Sequence, residues 1–207
     1  VKGVVFDLGG VVFESPIHRI AEFERRTGLE PQTVADLIRL QPDGGAWSRF
    51  ECGHLDRASF IEAFSAEFRG VGIEVDVVEL LDEIESALTV RPAMLAAIDG
   101  IRSSGVTVAA LTNNWSPMSH LPVAAHFDVF VESVVEGCRK PDPEIYLTTL
   151  GRMGCDPHEV AMLDDLGENL KTARSLGMTT HKVSTEEAAI EWLSTAIGLA
   201  DDRRSMS

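Results

Sequence analysis

The chain has 207 residues, 44% hydrophobic and 25% charged, enough for one large domain or a domain with a sizeable insertion around a real core. Its formal net charge of −15, with lysines and arginines scattered, argues against the basic face that a nucleic-acid backbone or an anionic membrane calls for. No apolar segment approaches the roughly 20 residues needed to span a bilayer. Cys52, Cys138 and Cys155 share no CxxC spacing, so the thiols read as reduced, with no zinc site or disulfide framework. The first apolar run starts almost at Val1, without a charged segment and cleavage site before it. The expectation is a soluble, cytoplasmic protein.

In chain order, VVF (4–6) reads as a buried strand. From Glu14 to Leu88 the patterns are helical: RIAEFERRTG (19–28), PQTVADLIRL (31–40), RASFIEAFSAEF (57–68) and VDVVELLDEIESAL (75–88). A stretch of this size cannot be a loop. PAMLAAIDGIRSSG (92–105) reads as a helix closed by a glycine, and VTVAAL (106–111) and VFVESVV (129–135) read as strands. PDPEIYLTTLGRMG (141–154) begins a helix with Asp142 as N-cap and Pro143 in the first turn. VAML (160–163) is a strand, GENLKTARSLG (167–177) a helix with Leu170, Ala173 and Leu176 on one face, and THKV (180–183) a last strand. Strands alternating with helices imply an α/β fold, a Rossmann-like parallel sheet with helices on both faces. The expected organisation is a core over residues 1–13 and 89–200, an inserted all-helical domain over 14–88, and a frayed tail over 201–207.

In an open parallel sheet, ligands bind beyond the carboxyl ends of the strands. Asp7 follows the first run, Thr112, Asn113 and Asn114 the second, and Asp164 and Asp165 the fourth, while Lys140 lies shortly after the third. Each alone reads as a turn former, a cap or a solvated side chain. Together they deliver ionisable or hydrogen-bonding groups from four strands to one edge. Two carboxylates ~4 Å apart repel by about 4 kcal/mol at an effective dielectric near 20, so this cluster needs more cation than Lys140 supplies. Mg2+, which takes one or two carboxylates, waters and phosphate oxygens, fits. Asp7 would then attack phosphorus as a nucleophile. Lys140 and Mg2+ would neutralise the phosphoryl oxygens, and Thr112 would hold another. Asn113 joins Thr112 and Lys140 as a candidate substrate-binding residue.

FDLGG, LTNN, RKPDPEIY and LDDLGEN, met in this order, resemble the four motifs of the haloacid dehalogenase (HAD) superfamily of hydrolases. The details are most similar to the phosphatase-like N-terminal domain of soluble epoxide hydrolases and the related domain fused to some acyl-CoA dehydrogenases. The resemblance implies a HAD-like fold, a C1 helical cap over 14–88, nucleophile Asp7, and a Mg2+ site of Asp7, the Gly9 carbonyl, Asp164 and Asp165. It implies a small-molecule substrate, a phosphate ester. Phosphatases of the family usually carry a second Asp at the position of Gly9, where it protonates the leaving group. Its absence typically costs about 10²–10⁴ in rate, so good leaving groups should be preferred.

Two other readings stay open. Haloacid dehalogenases of the superfamily also lack the second Asp, but they need no metal, and the Asp164–Asp165 pair weighs against that chemistry. A catalytically weakened binding or scaffold module is the other. Glu14, seven residues after Asp7, is a carboxylate near the hinge that reads as solvated. Trp47, Phe50 and Phe60 read as core of the insertion, Arg49 as solvated, and Asn114 and Trp115 as candidates for the pocket wall.

Overall fold

The computed structural model describes residues 1–40, 44–86 and 88–197, so the expected tail over 201–207 lies outside the described residues. Five parallel strands form one sheet in the order β3-β2-β1-β4-β5: β1 (Gly3–Phe6), β2 (Thr107–Thr112), β3 (Val129–Glu132), β4 (Val160–Asp164) and β5 (Thr179–Lys182). The central strands are continuous apolar runs because both of their faces are covered. Val4, Phe6, Val108, Ala110, Ala161 and Leu163 point to one face, where they meet α6 (Pro92–Ser103) and α10 (Glu186–Ala196). Their neighbours Val5, Ala109, Leu111 and Met162 point to the other, against α8 (Pro143–Met153) and α9 (Gly167–Ser175).

The caps follow local chemistry. The Asp142 carboxylate accepts from the Glu144 N–H ahead of Pro143, and Gly154, with φ +64°, ends α8 in the left-handed conformation that a side chain would disfavour.

Between β1 and β2 the chain forms α1 (Ile17–Thr27), α2 (Thr33–Leu40), α3 (Ala46–Glu51), α4 (Arg57–Gly70) and α5 (Val77–Glu85). These helices have their own apolar cluster, centred on Phe23, Phe60, Phe64, Phe68, Leu80 and Leu81, all fully buried. The outgoing and returning segments pair as they cross: Phe13 bridges Val90, the Glu14 N–H donates to Thr89 O (2.9 Å), and Arg91 N–H to Val12 O (2.8 Å).

Three elements differ from the sequence reading. The expected strand over 129–135 stops at Glu132, and Ser133–Glu136 turns into a short helix, α7, that ends at Gly137 (φ +75°). Buried hydrogen bonds of Ser133 hold this turn, and Val135 points to solvent at 62% exposure, so its apolar character marks no further strand. α3 has six residues, fewer than two turns, too short to show a helical period. α10 was not expected; it covers the sheet with Ala189 and Leu193. The three cysteines are free. No helix among the described residues is long and apolar enough to cross a membrane.

Candidate active site

Asp7 follows β1 directly, and its N–H continues the sheet ladder by donating to Leu163 O (2.9 Å). The next N–H, of Leu8, donates to Asp7 Oδ1 (2.7 Å), which sets the orientation of the carboxylate. Lys140, 1% exposed, reaches in from the β3 side, with Nζ 2.8 Å from Asp7 Oδ1 and 2.8 Å from Asp164 Oδ2. Asp164 is wholly buried and hydrogen-bonded through both oxygens. It accepts from Lys140, from the Leu166 N–H (2.8 Å) and from Asn169 Nδ2 (3.1 and 3.0 Å to its two oxygens). Asp165 is less committed, with Ser15 Oγ 3.4 Å away. Asp7, Asp164 and Asp165 each offer an oxygen within 4.8 Å of the others. The strand ends therefore bring together the acids and the lysine that the sequence singles out.

The two glycines after Asp7 serve different ends. Gly10 has φ +73°, and a Cβ there would lie 2.3 Å from Asp165 Oδ2, so only glycine lets the loop and the carboxylate approach so closely. At Gly9 the nearest atom to a built Cβ is Pro16 Cδ at 3.8 Å, so that position has room for a side chain.

Thr112 ends β2, is 4% exposed, and its hydroxyl has only a marginal contact, with Asn113 O at 3.5 Å. It is free for a ligand. Asn113 is not: its Nδ2 donates to Lys140 O (3.0 Å) and its Oδ1 accepts from the Lys140 N–H (2.9 Å). Its amide is a clamp on the Lys140 peptide, and the residue also lies in the wall of the neighbouring cavity. The physical reason is tertiary: the loops after β2 and β3 lie side by side, and the lysine backbone needs partners.

Several supporting residues are not among the site candidates that the sequence offers. Asn169 orients Asp164 and is itself fixed by Tyr146, whose hydroxyl donates to Asn169 O (2.9 Å). The signal for both was their place at the ends of LDDLGEN and RKPDPEIY. Buried Glu132 accepts from Asn114 Nδ2 (2.8 Å) and from the Met118 N–H, while Ser133 Oγ joins Glu51 O (2.6 Å) to the Asn114 N–H (2.9 Å).

Burial pushes the Asp7 carboxyl up to about 8 against the pull of Lys140, with Asp164 and Asp165 adding to the rise. Burial alone would lower the Lys140 ammonium, but Asp164 and Asp7 reverse that and hold it above its ordinary value. Burial, then Asp164, raises Asp165. Three carboxylates around one ammonium leave a net negative charge in a buried place. A donor set of carboxylate oxygens is one that a hard divalent cation fits.

Beside this centre, a cavity of about 480 Å³ opens between the sheet end and the helical insertion, with Gly9 and Thr112 in its wall. Its lining is mainly apolar and aromatic, including Phe13, Trp47, Trp115 and Met118. Glu14, Glu51 and Glu85 are its charged members, and among the described residues no lysine or arginine lines it. The acids have partners. Arg91 lies 3.2 Å from Glu14, Arg139 Nε 3.0 Å from Glu51, and Arg57 2.6 Å from Glu85. Trp47 packs against Phe60 and Phe64 as part of the helical core, while Arg49 is exposed.

A family profile described as a haloacid dehalogenase-like hydrolase matches residues 1–177. Acyl-CoA dehydrogenase family member 10 of Mus musculus is 37% identical over 204 residues, covering 95% of this chain and 19% of that protein. Bifunctional epoxide hydrolase 2 of Sus scrofa is 28% identical, covering 96% of this chain and 39% of that protein. The chain thus spans well under half the length of these relatives. Other curated relatives are named as phosphatases. Among solved structures, a HAD family enzyme of Bacteroides thetaiotaomicron, in complex with magnesium and inorganic phosphate, has a TM-score of 0.65 at 23% identity, covering 88% of this chain and 93% of that one. The profile match over most of the chain, on a parallel sheet whose strand ends gather these residues, makes the protein a member of the haloacid dehalogenase-like hydrolase family.

Proposed function

We propose that the protein is a Mg2+-dependent phosphomonoester hydrolase working through a phosphorylated Asp7. The observation that carries this reading is the convergence of Asp7, Asp164 and Asp165 within 4.8 Å around the buried Lys140 ammonium. Asp7, the Gly9 carbonyl, Asp164 and Asp165 would hold the ion, which when bound supplies positive charge to the phosphoryl oxygens and favours the ionised carboxylates. The magnesium and phosphate bound by the Bacteroides enzyme support this assignment.

A carboxylate oxygen of Asp7 attacks phosphorus, and the ester P–O bond breaks. The leaving oxygen takes its proton from water because Gly9 carries none. Water then attacks the phosphorus of the acyl phosphate, releasing inorganic phosphate and restoring the Asp7 carboxylate. Lys140 Nζ neutralises charge throughout, and the free Thr112 hydroxyl donates to a phosphoryl oxygen. Asn113 keeps Lys140 in place. Residues 14–88 act as a cap over a core formed by 1–13 and 89–200, and the cavity between them receives the organic part of the ester.

The wall of that cavity favours an uncharged, apolar group. It also disfavours 2-haloacid dehalogenation, since such a substrate brings a carboxylate and the nearby Arg91 and Arg139 are already paired with Glu14 and Glu51.

The test is hydrolysis of p-nitrophenyl phosphate with and without Mg2+. Wild type should release p-nitrophenol only with the ion, and Asp7→Asn should abolish release. Alkyl phosphates should turn over more slowly than aryl ones, and Gly9→Asp, for which the loop has room, should narrow that gap. Turnover that survives Asp7→Asn would overturn the mechanism.

A further inference from the structure

Trp115 is the one residue outside the helical insertion that packs into the insertion's apolar cluster among the described residues. It stacks on Phe50 (centroids 5.6 Å apart, planes 14° apart) and meets Trp47 edge-on at 5.7 Å. Its Nε1 points to Glu85 Oε1 at 3.3 Å. The residue before it is locked, with Asn114 bonded through its N–H to Ser133 Oγ and through its side chain to Glu132 and Ser116 O. The indole is therefore held from both sides, and it lines the same cavity as Thr112. Only Asn113 and Asn114 lie between the two, and the three Cα–Cα steps span at most roughly 11 Å. A ligand with its phosphoryl group at Thr112 would meet this wall at a fixed distance.

We propose that Trp115 is the specificity-determining residue of the cavity, setting how long an organic group the site accepts. This rests on the phosphatase reading for the phosphoryl end of the ligand, and its own signature is in binding.

The probe is a series of n-alkyl phosphonates from ethyl to dodecyl, titrated into the Mg2+-loaded protein by calorimetry. Burial of each methylene should tighten binding by about fourfold until the chain reaches the indole, after which the gain stops. In Trp115→Ala the gain should continue over further methylenes. In Trp115→Phe, which keeps a ring against Phe50 and covers the case of a poorly folded alanine variant, the break should shift by fewer.

A break at the same length in all three proteins would overturn the proposal. So would a uniform loss of affinity at every length, which is what a merely structural tryptophan predicts. Hydrolysis of p-nitrophenyl phosphate, run on the same samples, tests the phosphatase reading separately. A displaced break without hydrolysis would sink that reading and keep Trp115 as the wall; hydrolysis with an unmoved break would do the reverse.

Discussion

Where the sheet ends, Asp7, Lys140 and Asp164 are buried together and held by one another and by neighbouring loop and helix groups. In the helical insertion, the fully buried side chains include Phe23, Phe60, Phe64 and Phe68 with leucines, and what holds them is shape and loss of water contact. One region is stable only while its charges balance. The other is stable while its volume is filled. The cavity lies where the two regions meet, with Gly9 and Thr112 from the sheet end and Trp47 and Ile84 from the insertion in its wall.

Two buried substitutions separate the two regions. Lys140→Met removes the ammonium from between Asp7 and Asp164, leaving buried carboxylates without their cation. Breaking such a buried pair costs about 3–5 kcal/mol, and the loss of charge stabilisation should lower turnover by roughly 10²–10³ or more. Added Mg2+ should recover part of the stability. Phe68→Ala empties a fully buried ring site and costs a similar ~3–5 kcal/mol, but that loss should not respond to Mg2+. Denaturant titrations of both variants with and without the ion make the comparison. If Phe68→Ala responds to Mg2+ as strongly as Lys140→Met, the two regions are not distinct in this sense.

A smaller effect sharpens the charged side at the level of adjacent residues. Gly10→Ala forces a Cβ toward Asp165 at φ +73°, so it should cost about 1–2 kcal/mol and weaken Mg2+ binding. Gly9→Ala, with 3.8 Å of clearance, should stay within about 0.5 kcal/mol of wild type in stability. Thermal unfolding and calorimetric Mg2+ titration would expose the asymmetry, and equal losses at the two positions would refute it.

A pH slope probes the same charged centre. The Asp7 carboxyl sits at about 8 in the fold, above the ordinary value near 3.9. The metal-free fold therefore keeps a proton that the unfolded chain releases. This contribution is complete below about pH 4 and is lost as the pH rises through about 8. The denaturation midpoint of metal-free wild type should accordingly fall with pH over that interval more than that of Asp7→Asn. Mg2+, which favours the ionised carboxylate, should flatten the wild-type slope. Parallel profiles for the two proteins would show that Asp7 does not carry the dependence.

Much of this architecture was legible before folding, because it rests on local rules. Continuous apolar runs such as VVF and VAML mark strands covered on both faces, and Asp142-Pro143 and Gly154 mark helix ends whose backbone groups need those residues. The acids were legible as well, since a carboxylate directly after a buried strand has few other uses once several strands share the pattern. The end of β3 was not, because Val134 and Val135 look like strand until Ser133 is tied to Glu51 and Asn114.

The parallel α/β core, the helical insertion and the ionisable side chains at the strand ends can be read from the chain before it is folded. These follow from hydrophobic period and from the short list of residues that tolerate a turn. Packing between distant segments makes Asn113 clamp Lys140, Asn169 and Tyr146 brace Asp164, Gly10 leave room for Asp165, and Trp115 cross into the insertion. Each joins segments far apart in the chain, or depends on what another segment leaves open. A spacing rule reports which side chains one element presents, whereas a contact depends on two elements and on the packing that brings them together.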